Sequence, residues 1–168
     1  LLFEDREGED GSEEGGDPEG LANFSLALQV SNAGGESMNL QFGFDLDATD
    51  GLDDFEQELP PKPPAAVLDA RFVVSGTNGV SGDYRASTQE APTTWILEVQ
   101  AGGGGFPMAI EWDRGALPSL GSFAIVDVFT GGDLLSVNMR EENVLILENP
   151  ALTQVAIVFS ALVDYTYD

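Results

Sequence analysis

Residues 23–44 read NFSLALQVSNAGGESMNLQFGF, and their pattern indicates the class of the fold. In each half, apolar side chains alternate with polar or small ones, as in a β-strand that buries one face. The Asn-Ala-Gly-Gly sequence between the halves is typical of a tight turn that joins antiparallel strands. The stretch therefore predicts a β-hairpin whose buried faces are Phe24, Leu26, Leu28 and Val30 on one strand and Met38, Leu40, Phe42 and Phe44 on the other.

The same period of two continues through the rest of the chain. Runs bounded by Gly, Pro, Asn and Asp predict strands at 66–75, 83–85, 93–100, 106–112, 122–129, 134–139, 143–147 and 153–163. No segment has the period of a helix. We therefore expect an all-β domain over residues 21–168, an immunoglobulin-like or jelly-roll-like antiparallel β-sandwich of about nine or ten strands with very little helix. An acidic N-terminal extension over residues 1–20 precedes it.

The composition excludes several classes of function. Thirty Asp and Glu against six Lys and Arg give a net charge of −24, which disfavours binding to nucleic acid or to an anionic membrane. The absence of His and Cys removes His-dependent serine triads, cysteine nucleophiles and thiolate zinc sites. Apolar runs are also too short for a transmembrane helix, so we expect no membrane span.

The acidic residues are concentrated in two segments. Nine lie in residues 1–20 and seven in residues 45–58, so these 34 residues hold sixteen of the thirty. One interpretation is adaptation to a salt-rich environment, in which acidic, lysine-poor surfaces are ordinary. The other is that the two segments bind cations or partners. Net charge alone does not distinguish them.

The second acidic segment is a candidate calcium loop. Calcium binds six to eight oxygen atoms, and alternate Asp residues around a turning Gly supply them. The loop departs from the EF-hand pattern, because its Gly is one place late and no helices flank it. The alternative is a solvated loop whose Asp and Thr side chains cap turns. The candidate ligands are Asp45, Asp47, Thr49, Asp50, Asp53 and Glu56, and Ca²⁺ is the one cofactor that the sequence suggests.

Two tryptophans admit two interpretations. Trp95 and Trp112 would suit a platform on which sugar rings stack, but both are in phase with apolar neighbours on their strands. Core packing is the better explanation.

Charged residues on the predicted strands suggest ion pairs rather than catalysis. We expect Arg85 to pair with Asp113 across the edge of the sandwich. Glu111 and Asp113 are close enough in sequence to suggest a glycosidase pair, but such carboxylates are common on exposed strands and no insertion forms a cleft. We therefore expect no enzyme activity.

The N-terminal extension is a candidate partner-binding segment. Leu1, Leu2 and Phe3 are apolar and precede a long acidic stretch. This pattern suits addition of a strand to the sheet edge of another chain, which places the partners among other proteins, including copies of this one. The alternative is a remnant of processing or a piece of a longer chain.

Several short sequence motifs occur in an order that resembles a known module. They are ATDGLD at 48–53, LPPKPP at 59–64, DYR at 83–85, EWD at 111–113 and NMR at 138–140. The order, over about residues 24–160, resembles a β-sandwich module of secreted and surface proteins in bacteria that have a type IX secretion system. The resemblance implies export and a non-catalytic role, and it carries no catalytic residue.

These observations together predict a non-catalytic structural or interaction subunit of a bacterial surface assembly, either a filament or an outer-membrane complex. We expect it outside the cell or at the cell surface. The alternative is a calcium- or carbohydrate-binding module of a secreted protein.

Overall fold

The computed structural model describes residues 23–49, 56–86 and 92–161, and these residues form ten strands. All the predicted strands are present, with ends that move by one to three residues in most cases. Helix is confined, within these ranges, to two short 3-10 turns at Gly102–Gly104 and Arg114–Ala116. The strands are β1 Phe24–Ser31, β2 Ser37–Phe44, β3 Asp69–Phe72, β4 Gly82–Arg85, β5 Thr93–Gln100, β6 Met108–Glu111, β7 Ser122–Asp127, β8 Ser136–Asn138, β9 Val144–Leu147 and β10 Gln154–Ser160.

The strands form two five-stranded sheets, which confirms the predicted all-β sandwich. The first sheet has the order β4-β2-β1-β6-β9, and the second has the order β3-β5-β10-β7-β8. The predicted hairpin is present, with β1 and β2 antiparallel and Phe24 opposite Phe44. One pair departs from the antiparallel expectation, because β4 lies parallel to β2 after the long connection that follows Phe44.

The core lies between the sheets and is rich in aromatic rings. The alternate residues predicted to face inward on β1 and β2 are buried, except that Phe24 and Met38 are half-buried at its margin. Phe42 packs edge-on against Trp95, with ring centroids 4.8 Å apart, and Phe123 lies 4.9 Å from Phe159. Such offset contacts add to the stabilisation from burial of the rings themselves.

The sandwich has two ends, which we name after the phenylalanines that mark them. At the Phe24 end, the ring of Phe24 lies 5.7 Å from that of Phe123, near the start of β7. Strand β7 then runs about 13 Å to Asp127, at about 3.3 Å per residue. Phe129 follows at the Phe129 end, where the N–H of Val128 donates to the carbonyl oxygen of Gln154 at 3.5 Å.

The two ends differ in how the chain enters and leaves them. Phe24, Arg85, Thr93 and Ser160 all lie at the Phe24 end, since Arg85 pairs with Phe44 and Ser160 with Ser122. These residues flank or adjoin the segments 1–22, 87–91 and 162–168, which lie outside the described residues. At the Phe129 end, the segments 32–36, 101–107, 128–135 and 148–153 consist of described residues.

Candidate functional site

The predicted calcium loop is described only in part. The carboxylate of Asp45 accepts a hydrogen bond from the N–H of Asp47 at 3.0 Å, and Glu56 is buried and accepts one from the N–H of Tyr84 at 2.9 Å. Thr49 is exposed, whereas Asp50 and Asp53 lie outside the described residues. In the part of the chain that the structure describes, no three acidic side chains are grouped to hold a metal ion.

Calcium binding by this loop therefore stays a prediction. Calorimetric titration of calcium into the wild type and into the double variant Asp47→Asn with Asp50→Asn is the measurement that checks it. An absence of heat in both proteins, with no change in melting temperature, would contradict the calcium site.

Both tryptophans lie in the core. Trp95 has no exposed surface and Trp112 is 6% exposed, so neither ring is available to stack on a sugar. The candidate carbohydrate platform is therefore wrong, and the core-packing interpretation is confirmed. The indole N–H of Trp112 donates to the carbonyl oxygen of Met139 at 3.0 Å. The indole nitrogen of Trp95 has no hydrogen-bond partner among the described residues.

The cations of the described ranges are all engaged in local contacts. Arg85 pairs with Asp83 at 2.9 Å rather than with Asp113, whose carboxylate instead accepts from the N–H of Gly115. The predicted pairing across the edge is therefore wrong, because residues two apart on one strand share a face and meet more readily. The other pairs and contacts are Lys62 with Glu98, Arg71 with Asp69, Arg114 with the carbonyl of Glu141, and Arg140 with the carbonyls of Pro118, Leu120 and Gly121.

The pKa values of Arg71 and Arg140 are shifted in opposite directions by their environments. The hydrogen bond to Asp69 is the main cause that raises the pKa of Arg71, against the effect of burial. Burial lowers the pKa of Arg140, whose guanidinium lies 5.5 Å from the centre of the Phe123 ring. Both guanidiniums tie loops together through carbonyl oxygens, and this use is structural.

Three of the four sheet edges are covered or short. The outer edge of β3 is paired, because Phe72 and Val80 exchange main-chain hydrogen bonds of 2.8 and 2.9 Å. The outer edge of β4 is met by Glu56 through the N–H of Tyr84. Strand β8 is three residues long, and the carbonyl oxygen of Asn138 accepts from the turn that follows it. Natural sheets commonly block their edges in these ways.

The edge at β9 is open. Within the ranges that the structure describes, no strand lies beyond β9 and no main-chain hydrogen bond covers its outer side. The N–H of Trp112 donates to the carbonyl oxygen of Asn143, so these two residues form a hydrogen-bonded pair between the ends of β6 and β9. Hydrogen-bonded and non-hydrogen-bonded pairs alternate in an antiparallel ladder. The N–H and C=O groups of Val144 and Ile146 therefore point away from β6. Their side chains are also exposed, by 38% and 47%. This edge carries no Lys, Pro or bulge.

A second exposed feature is the loop after β7, residues 128–135, which we call the Phe129 loop. Its base is the carboxylate of Asp127, which has no exposed surface. The carboxylate accepts hydrogen bonds from the N–H of Thr130 at 2.6 Å, from its hydroxyl at 2.7 Å, and from the N–H groups of Gly132, Leu134 and Leu135. The loop is therefore fixed from inside by one side chain.

The electrostatics of Asp127 follow from these contacts. Burial alone would raise its pKa, but the hydrogen bonds from Thr130, Leu135 and Gly132 together outweigh burial and lower the pKa to about 2. Gly131 and Gly132 have φ values of 75° and 123°, which side chains rarely adopt, so the turn around the carboxylate depends on both glycines. The carboxylate is committed to holding the loop.

The outer surface of the Phe129 loop is apolar. Phe129 is 85% exposed, Leu134 is 57% exposed and Val128 is 41% exposed. A groove of about 190 Å³ runs beside Phe129, between it and the segment Ala151–Gln154 that leads into β10. A loop held by one buried carboxylate, with an exposed aromatic ring, is suited to contact another apolar surface.

Sequence reasoning located strands β7 and β9 but missed both of these features. An Asp at a strand end with Thr-Gly-Gly three residues further on is a recognisable signal for a side-chain-capped turn, and the sequence DVFTGG at 127–132 contains it. No local signal marks β9 as an edge, because that depends on the order of strands in the sheet. The apolar residues Leu1, Leu2 and Phe3, proposed for partner binding, lie outside the described residues.

Comparison with known proteins gives no relatives: no protein-family profile, curated protein or solved structure matches this chain. No helix in the described ranges is long and apolar enough to cross a membrane.

Proposed function

We propose that this chain is a non-catalytic structural or interaction subunit of a bacterial surface assembly, and that it binds another protein chain along β9. The observation that carries the proposal is the open edge at Val144 and Ile146, next to three edges that are covered or short. An uncovered edge with apolar side chains is a template for a further strand, and proteins that do not use such an edge usually block it.

The edge defines the chemistry of the incoming strand. Each of Val144 and Ile146 offers one N–H and one C=O, so an extended segment gains four main-chain hydrogen bonds across these two residues. Alternate apolar side chains of that segment pack beside Val144 and Ile146. Acidic residues flank the edge at Glu142 and Glu148, so an acidic partner binds more tightly as salt screens the repulsion.

The proposed donor is the apolar segment at residues 1–3 of a neighbouring copy. Leu1, Leu2 and Phe3 form an apolar segment, and the acidic stretch at 4–20 separates them from the domain. That stretch spans up to about 60 Å when extended, which is enough to reach a second molecule. Its nine carboxylates repel one another and favour extension, most strongly at low salt.

The proposed location is outside the cell. It is supported by the motifs between residues 48 and 140 that resemble a module of type IX-secreted proteins. Immunogold labelling or surface proteolysis of the producing cells tests this part. Detection of the chain only in the cytoplasm would contradict it.

A lysine on the edge tests the assembly. Ile146→Lys places a cation on β9 and is expected to abolish assembly while leaving the fold intact, because the side chain is already exposed. Val67→Lys is the matched control, since Val67 is also 47% exposed but lies in a turn. Size in solution is measured by sedimentation velocity. A wild type that stays monomeric at all concentrations and salt conditions would overturn the proposal.

A mixing experiment separates donor from acceptor. Deletion of residues 1–20 removes the proposed donor, and Ile146→Lys removes the proposed acceptor. At micromolar protein, each variant alone is expected to stay monomeric, whereas an equimolar mixture forms a one-to-one complex and no larger assembly. Unimpaired assembly of the deletion variant would show that the segment at residues 1–3 is not the donor.

A second candidate is a carbohydrate-binding module, favoured by a different observation. A groove of about 670 Å³ on the first sheet is lined by the polar side chains of Asn39, Gln41, Gln57 and Tyr84, among others. Amide and phenol groups of this kind form hydrogen bonds with sugar hydroxyls. Titration with oligosaccharides, on the wild type and on Asn39→Ala, tests it. Equal heats for both proteins would exclude this groove as the site.

A further inference from the structure

The Phe129 loop is an exposed apolar surface that the proposed function does not use. It lies at the end of β7 in the second sheet, whereas β9 is the edge strand of the first. The loop itself, residues 128–135, and the segment beside it at 151–154 consist of described residues. Its exposed aromatic ring therefore needs an explanation separate from strand addition.

The order of this loop is the first argument that the surface binds something. Five main-chain or hydroxyl donors converge on the buried carboxylate of Asp127, and the glycines at 131 and 132 permit the turn. A loop fixed in this way pays little entropy when it binds, since its conformation is already set. The same arrangement leaves Phe129 85% exposed. In the isolated chain this ring lowers solubility and contributes almost nothing to packing.

The shape of the surface indicates the occupant. A protruding ring and a groove lie side by side, because Phe129 itself forms one wall of the groove and Ala151 and Leu152 form part of the rest. A projection next to a groove on one face is self-complementary under a twofold rotation. When two copies meet in this way, the ring of each enters the groove of the other, and the two rings pack against one another.

We propose that the Phe129 face is a twofold contact between two copies of this chain, in which each Phe129 occupies the groove beside the other. The occupant is a second copy, because the groove of about 190 Å³ accommodates about one aromatic side chain and the matching projection adjoins it.

The size and charge of the surface set how strong this contact is. Val128, Phe129 and Leu134 supply most of its exposed apolar area, and a large aromatic side chain buries about 150–250 Å². The whole face is then smaller than the roughly 800 Å² per partner of a stable interface. Each copy also carries a net charge of −24, so the two repel one another. The contact is therefore weak, and it strengthens as salt screens the charge.

The experiment places a fluorescent reporter on the tip of the loop in the full-length chain. Trp95 and Trp112 are buried, so Phe129→Trp introduces the one indole at this face, and its emission is exposed in the monomer. On dilution from millimolar to micromolar protein, its emission is expected to shift to the red and its quenching by acrylamide to rise. The midpoint of this change moves to at least tenfold lower protein concentration between 0.05 and 1 M NaCl.

Two variants provide the controls, each measured by sedimentation equilibrium. Phe129→Ser is expected to weaken dimerisation at least tenfold. Leu46→Ser, which removes a 67% exposed side chain near the Phe24 end, leaves it unchanged. Ile146→Lys removes assembly along β9 but leaves dimerisation through the Phe129 face unchanged, so failure of strand addition at β9 and failure of this contact are distinguishable.

Three outcomes would overturn the proposal. The first is fluorescence of Phe129→Trp that does not depend on protein concentration. The second is dimerisation of Phe129→Ser with the affinity of the wild type. The third is protection of the new indole by phosphatidylcholine vesicles but not by added wild-type protein, which would make a lipid surface the occupant instead of a second copy.

Discussion

The hydroxyl of Thr130 donates a hydrogen bond of 2.7 Å to the carboxylate of Asp127, three residues earlier in the chain. The same hydroxyl oxygen accepts from the N–H groups of Asp133 and Leu134. Thr130 thus links the buried carboxylate of Asp127 to the main chain at Asp133 and Leu134, on the far side of the loop. The relationship explains how a loop with an exposed phenylalanine is held in place by hydrogen bonds to a buried side chain.

Replacement of the hydroxyl should loosen the loop. Thr130→Val keeps the shape of the side chain but removes its hydrogen bonds, and we expect a loss of about 1 kcal/mol in the free energy of unfolding. Urea denaturation measures the loss. Hydrogen exchange of the N–H groups of Gly132, Leu134 and Leu135 should increase as well. Thr130→Ser, which keeps the hydroxyl, is the control, and equal exchange in both variants would contradict the role assigned to Thr130.

The pH dependence of stability should carry a contribution from Asp127. Its pKa is about 2 in the folded chain and 3.8 as a free side chain, so between these values the unfolded chain binds more protons than the folded chain. The contribution is therefore fully present above about pH 4 and is lost as the pH falls towards 2. We expect the stability difference between the wild type and Asp127→Asn to shrink over this window. A difference that stays constant from pH 6 to pH 2 would show that the carboxylate is not the cause.

The strands of this fold could be predicted from the sequence because their signal is local. Alternation over 93–100 is a property of eight consecutive residues, and β5 occupies the predicted range without change. The parallel pairing of β4 with β2 has no such signal. It depends on where a connection of more than thirty residues returns the chain to the sheet.

The candidate sites, too, could be predicted only where their signal is local in the sequence. Burial of Trp95 and Trp112 could be predicted because each is in phase with its apolar neighbours on a strand. The open edge at β9 could not, since its residues alternate like those of any half-buried strand and only the strand order leaves one side unpaired. Arg85 has a carboxylate two residues away in Asp83, and that proximity decided its partner over Asp113.

The two tryptophans should respond differently to the same substitution. Both lose volume in Trp→Phe, but Trp112→Phe also leaves the carbonyl oxygen of Met139 without its donor, whereas Trp95→Phe removes an indole N–H that has no partner among the described residues. We expect Trp112→Phe to cost about 1 kcal/mol more in the free energy of unfolding. Urea denaturation followed by circular dichroism compares them. A larger loss for Trp95→Phe would mean that its indole nitrogen is satisfied in solution.

Two ion pairs should differ in strength because they differ in burial. The guanidinium of Arg71 donates to Asp69 at 2.7 and 2.9 Å, and its third nitrogen donates to the carbonyls of Pro60 and Asn78. Removal of the carboxylate by Asp69→Asn leaves a buried cation without its partner, at a cost of about 3 kcal/mol. Lys62 and Glu98 form a pair of similar length at 3.1 Å, but the lysine side chain is 41% exposed.

For that exposed pair we expect Lys62→Met to lower the free energy of unfolding by less than about 1 kcal/mol. At 1 M NaCl we expect no measurable effect of the lost ion pair, because salt screens the two charges. A double-mutant cycle on each pair, in low and high salt, isolates the coupling from the losses of the single side chains. The Asp69–Arg71 coupling should persist at high salt, because the pair is shielded from solvent ions and holds the segment at Pro60 against β3. Equal couplings for the two pairs would contradict the argument from burial.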